Sequence, residues 1–135
     1  MRNRGIPDIS LTEAEIKELR TIVKDLIKAS EAGAVIVVEG PSDRDSLREI
    51  GIRGRIILAS TKPDVDVVDS LQGKEEVIIM SDWDAEGRKI ERRLNERFKS
   101  RGIVVNTEFR KRIFRIVGRE VSSIESLSRY LDSIL

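Results

Sequence analysis

The sequence predicts an α/β fold, a four-stranded parallel sheet flanked by helices with further helices before and after it. Four short apolar runs, at 35–38, 56–59, 77–80 and 103–105, are rich in β-branched residues and continuous rather than alternating. That is the pattern of strands buried on both faces. Segments of helix length lie between them, at 42–49, 65–71 and 88–99, and a strand–helix–strand repeat with short connections implies right-handed crossovers in a parallel sheet.

Ahead of the first strand, Thr12 and Glu15 are spaced as a capping box, with Leu11 and Ile16 placed to staple the entry. Ile16, Leu19, Ile22, Val23, Leu26 and Ile27 then recur at intervals of three and four, an amphipathic helix that fades at Ala32-Gly33. After the last strand a helix is expected from Phe109 to Val117, and another opening at Ser122 with Glu125 three residues on, burying Ile124, Leu127, Leu131 and Ile134. Tyr130 falls in that pattern as a packing residue. The expected organisation is one domain, with a helical extension at 1–33, a core at 34–107 and a C-terminal helical segment at 108–135 that closes the flank or makes a dimer contact.

The 135 residues suit one such domain. No apolar run approaches the roughly 18 residues of a membrane span, so the expectation is a cytoplasmic protein with neither a membrane segment nor a secretory signal. The chain has no cysteine and no histidine, which removes disulfides, Cys/His zinc sites, cysteine nucleophiles and Ser-His-Asp triads. What remains is hard-cation, carboxylate and Lys/Arg chemistry, directed at magnesium or manganese and phosphate. Abundant ionic residues beside only Asn3, Asn95, Asn106 and Gln72 resemble a thermophile's composition. The net charge of +1 hides a split: residues 1–87 carry 12 basic against 18 acidic side chains, and residues 88–135 carry 13 against 6. An acidic part suited to a cation is thus joined to a basic part suited to a polyanion; the alternative is charge spread over solvated helix faces.

In a parallel sheet the strand C-terminal ends share one edge, where ligands bind. Two acidic clusters fall there, Glu39-Gly40-Pro41-Ser42-Asp43 and Asp82-Trp83-Asp84-Ala85-Glu86-Gly87. Gly40 permits a tight backbone approach and Pro41 suits a helix start. Asp82 and Asp84, two apart in an extended segment, face the same side and can share a cation. Capping is the competing role for Asp84, Asp43 and Ser42. For Glu39, a carboxylate ending a buried strand, the competing role is a salt bridge.

A hydrophobic strand ending in Glu39-Gly40 with Asp43 close behind, then a second strand ending in Asp82-x-Asp84-x-x-Gly87, resembles the Toprim domain. That domain is shared by type IA and type II topoisomerases, bacterial-type primases, the ribonuclease that matures 5S rRNA, OLD-family nucleases and RecR proteins. The resemblance covers about residues 34–107, and the length is similar to that of small stand-alone archaeal Toprim proteins. It implies a Rossmann-like catalytic core in which Glu39 acts as general acid or base or as a metal ligand. Asp82 and Asp84 would coordinate Mg2+, with Mn2+ as a substitute, and Glu86 matches the acid of topoisomerase-like versions.

The metal would bind a phosphodiester oxygen and stabilise charge developing on the attacking and leaving oxygens. Lys62, Arg88, Lys89 and Arg92 are candidate phosphate contacts, and the series Arg93, Arg97, Lys99, Arg101, Arg110, Lys111, Arg112 and Arg115 extends a surface for a nucleic-acid backbone. Trp83 is placed either to stack on an unpaired base or to pack on a helix. Room is lacking for a topoisomerase's tyrosine domain, a primase's zinc module or an OLD ATPase. The sequence therefore points to a minimal Mg2+-dependent protein that cleaves DNA or RNA or serves as the catalytic subunit of such an activity, with a protein partner or homodimer supplying substrate binding. The second reading is a non-catalytic module in DNA repair, replication or RNA maturation, and the third a receiver-like phosphotransfer domain.

Overall fold

Thr12 opens the first helix through a reciprocal cap. Its Oγ1 accepts the Glu15 N–H at 3.1 Å, while the Glu15 carboxylate accepts the Thr12 N–H at 2.9 Å, satisfying two amides that a helix start otherwise leaves unpaired. Helix α1 runs Glu13–Glu31, and the chain reverses at Gly33, whose φ of 109° disfavours any residue with a Cβ. The computed structural model describes residues 11–135 apart from 72 and 74, so the first ten residues of the expected N-terminal extension lie outside the described residues.

Strands β1 (Val35–Val38), β2 (Ile56–Leu58), β3 (Val77–Ile79) and β4 (Val105–Asn106) form one parallel sheet in the order β2-β1-β3-β4. Helix α2 (Pro41–Ile50) connects β1 to β2. A 3-10 turn (Ala59–Thr61) and α3 (Asp64–Asp69) lead to β3, α4 (Ala85–Ser100) leads to β4, and α5 (Glu108–Val117) and α6 (Leu127–Ile134) follow. Every residue of β1 and β3 is buried, as their unbroken β-branched character predicts. Alternate residues feed two cores: Ile36, Val38, Ile78 and Met80 meet α1, α2, α5 and α6, whereas Val35, Val37, Val77 and Ile79 meet α3 and α4. Because β2 lies on one side of β1 and β3 on the other, right-handed crossovers put α2 on one face and α3 and α4 on the opposite one.

Two expectations shift. The last strand is Val105–Asn106 rather than 103–105, since this edge strand pairs with β3 at only two positions. Ile103 instead turns its side chain into the core and its N–H to the Phe98 carbonyl at 3.0 Å, leaving Val104 83% exposed. The final helix opens at Leu127, not Ser122, after a turn that the Leu127 N–H closes on the Ile124 carbonyl at 3.0 Å. Helix α6 is tied to α2 by the Ser128 N–H to Ser46 Oγ at 3.1 Å and by Ser128 Oγ to Glu49 Oε1 at 2.7 Å.

Phe98, fully buried on the α4 face, anchors the second core. Replacing it with alanine should cost about 3–5 kcal/mol in urea unfolding. A cost near zero would mean that α4 is not packed on the sheet as described.

Candidate metal centre

The Met80 N–H donates to the Val37 carbonyl at 2.8 Å, and this pairing brings the residues that leave β1 and β3 side by side. The sheet order reverses direction between these two strands, at the crevice where open α/β sheets bind ligands. Glu39 follows β1, Asp43 lies in the first turn of α2, Asp82 follows β3 and Asp84 caps α4.

Two of these carboxylates are held by local backbone. Asp43 Oδ2 accepts the Gly40 N–H at 2.9 Å and Asp84 Oδ1 the Gly87 N–H at 2.7 Å, so both capping roles are real. Pro41 occupies the first turn of α2 as expected. Two further donors come from the far end of the chain. The Ile124 N–H reaches Asp82 Oδ1 at 2.7 Å, and the Glu125 N–H faces Asp43. The Ser122 carbonyl meanwhile accepts the Trp83 N–H at 2.9 Å. The cap before α6 is built on Ser123 rather than Ser122: its Oγ accepts the Ser126 N–H at 3.3 Å, and the Leu127 N–H closes a turn on the Ile124 carbonyl at 3.0 Å. The sequence gives no sign that this segment reaches the acidic edge; its Ser122/Glu125 spacing reads as an ordinary cap.

The cluster repels itself. Burial pushes the Glu39 carboxyl above its ordinary value, and Asp82, Asp43, Asp84 and Glu86 push it further. Asp82 is raised by burial, and by Asp43, Asp84 and Glu125, against the Ile124 hydrogen bond. Asp43 is also raised, chiefly by burial. Among the described residues none of Glu39, Asp43, Asp82, Asp84 and Glu86 forms an ion pair with Lys or Arg, so the salt-bridge alternative for Glu39 is not realised.

The donor set suits a hard divalent cation. It is all oxygen, and Asp82 and Asp84 each keep one oxygen with no hydrogen bond among the described residues. No group of three acidic residues forms a closed cage among the described residues; magnesium, which usually keeps several waters and takes one or two carboxylates, does not require one. Two glycines differ in what they permit. A Cβ on Gly87 would lie 1.9 Å from the Asp82 carbonyl, so the first turn of α4 can meet the loop only through glycine, whereas a Cβ on Gly40 would meet nothing nearer than Ser60 Oγ at 3.8 Å.

The basic residues divide. The Ser60 N–H donates to the Glu39 carbonyl at 2.9 Å, which sets half-buried Lys62 on the acidic edge. Arg88 turns back to the Trp83 carbonyl at 3.4 Å. Exposed Lys89 and Arg92 line a shallow groove on α4 with Arg93 and Glu96. Arg93 and Arg97 are paired with Asp64, at 2.5 and 3.4 Å, and Arg101 with Asp69, so part of the expected polyanion surface neutralises α3 instead. Arg110 is buried and unavailable to a polyanion, a correction to its place in the basic series. Trp83 is buried as well; its ring stacks on Phe114 at 6.2 Å and its Nε1 donates to the Arg110 carbonyl at 2.9 Å. It packs, and is not presented to a base.

Two outcomes follow. Gly87→Ala should destabilise the protein by about 1–3 kcal/mol through overpacking, and Gly40→Ala by less than about 0.5 kcal/mol, both read by urea unfolding; equal costs would contradict the close approach at Gly87. A raised carboxyl contributes stability below its unfolded pKa that is lost as pH rises through its folded pKa. Metal-free Glu39→Gln should therefore be more stable than wild type at neutral pH, the gap closing as pH falls to the ordinary carboxylate range. Unfolding in EDTA across pH checks this, and a gap of the opposite sign contradicts it.

Comparison with known proteins supports the fold. The Toprim domain family matches residues 34–116. A UPF0292 protein of Archaeoglobus fulgidus is 37% identical over 112 residues, 83% of this chain and 88% of its own length. A UPF0292 protein of Methanocaldococcus jannaschii is 35% identical over 122 residues, covering 88% of this chain and 94% of its own. A solved protein of Aquifex aeolicus superposes with a TM-score of 0.70 at 37% identity, over 80% of this chain and 96% of that one. Matched over all four strands of its sheet and alike in length to these small relatives, the chain belongs to the Toprim domain family.

Proposed function

We propose that this protein is a Mg2+-dependent nuclease, or the catalytic subunit of one, acting on nucleic-acid phosphodiesters, with Mn2+ able to substitute. The observation that carries the reading is the meeting of Glu39 with Asp82 and Asp84 at the β1/β3 crevice, mutually repelling and, among the described residues, without a basic partner. Structural carboxylates are normally paired or solvated, and a cluster that raises its own proton affinity is characteristic of functional sites.

In this reading Asp82 and Asp84 hold the cation, with Glu86 and Glu39 at its margin. When bound, the metal would supply Lewis-acid stabilisation of the charge developing on phosphate oxygens. Glu39, raised toward neutrality by burial and its neighbours, exchanges a proton with the attacking or leaving oxygen. Lys62, Arg88, Lys89 and Arg92 position the backbone of the substrate by charge rather than by sequence. The engagement of Arg93, Arg97 and Arg101 by α3 and the burial of Arg110 favour one second reading, a non-catalytic nucleic-acid module that depends on a protein partner or a second copy.

Labelled single- and double-stranded DNA and RNA, incubated with Mg2+ or Mn2+, distinguish the two. Wild type should cleave at least one of them, Glu39→Gln should lose about 100-fold or more of the rate, and Asp82→Ala/Asp84→Ala should lose cleavage altogether. Nucleic-acid binding with no turnover in wild type would move the protein to the second reading.

A further inference from the structure

Among the described residues Arg110 is the one buried cation, 5% exposed. A guanidinium is removed from water at high cost unless its donors are matched, and the partners of Arg110 are unusual. Nε donates to the Ser81 carbonyl at 2.9 Å and Nη2 to the Asp82 carbonyl at 2.5 Å, while Nη1 meets Glu91 Oε1 on α4 at 3.3 Å. One planar fork thus holds two successive peptide carbonyls at the point where β3 becomes the acidic loop. The clasp is returned, because the backbone carbonyl of Arg110 accepts Trp83 Nε1. Residues 81, 82 and 83 are therefore gripped in sequence by a single residue of α5.

We propose that Arg110 is a positioning residue of the metal centre. By fixing the peptide planes of Ser81 and Asp82 it presets the Asp82 and Asp84 carboxylates for a divalent cation. The inference rests on the metal reading of those two residues and adds to it a dependence on α5. Glu91 balances the buried charge and links the clasp to α4, whose first turn closes on the same loop through Gly87. Lysine could not replace the fork, since its compact ammonium lacks the planar set of donors that spans two carbonyls and a carboxylate.

The sign of the effect separates positioning from charge. Arg110 is itself positive and so repels a cation bound nearby. If charge were its only influence, Arg110→Met would bind metal more tightly and Arg110→Lys as wild type does. Positioning predicts the reverse, weaker binding in both.

The test titrates Mn2+ into wild type, Arg110→Lys and Arg110→Met by calorimetry, with circular dichroism to show that each is folded. Acrylamide quenching of Trp83, the only tryptophan, is measured in EDTA as a reading of the loop that needs no metal. Both variants should bind about 10-fold more weakly or worse, the usual cost of losing a group that orients ligands, and Trp83 should become more accessible. Should the methionine variant not fold, the lysine variant decides. Unchanged or tighter Mn2+ binding in a folded variant overturns the inference and leaves the metal reading standing, even if thermal stability falls. No Mn2+ binding by wild type overturns both.

Discussion

The parallel pairing of β1 with β3 is the constraint on which the rest depends. Val35, Ile36 and Val37 stand opposite Val77, Ile78 and Ile79, and with both strands running the same way their carboxyl ends must leave the sheet together. Two acidic chain segments, at 39–43 and 82–86, are the ones that emerge there. Antiparallel pairing would have put Glu39 and Asp82 at opposite ends of the sheet. Two apolar cores, one on each face, hold this register, and a one-residue slip would exchange every side chain between them.

Bringing these acids together opposes folding, and the structure offsets that with hydrogen bonds rather than with counter-charges. Backbone amides of Gly40, Gly87, Ile124 and Glu125 are directed at three of the carboxylates. Four basic side chains, Arg93, Arg97, Arg101 and Arg110, are bound instead to Asp64, Asp69 and Glu91. The residual repulsion at Glu39, Asp43 and Asp82 is the kind of strain that a bound cation would relieve. Stability and function are thereby set against each other at this edge.

Much of this is legible in the chain itself. Continuous β-branched runs announce buried parallel strands, the Thr12/Glu15 spacing announces the first cap, and Glu39-Gly40 with Asp82-x-Asp84-x-x-Gly87 marks the edge where chemistry belongs. Local signals fail where tertiary contacts decide. Arg110 reads as one more cation in a basic run, because nothing in Phe109-Arg110-Lys111-Arg112 distinguishes the side chain that turns inward. Trp83 reads equally as a stacking platform or a core residue until Phe114 and the Arg110 carbonyl are found around it. The segment at 122–126 reads as a helix start because its amides carry no label showing that Asp82 and Asp43 will claim them. Only the long-range fold brings those groups together.

The central claim is that the crevice between β1 and β3 holds a divalent cation through Asp82 and Asp84. It is tested most directly by titrating Mn2+ into wild type and the Asp82→Ala/Asp84→Ala variant and reading free Mn2+ by electron paramagnetic resonance. The account predicts that wild type depletes the free-ion signal with saturable stoichiometry and that the double variant, still folded, does not. Equal depletion by both proteins, or none by wild type, would contradict it.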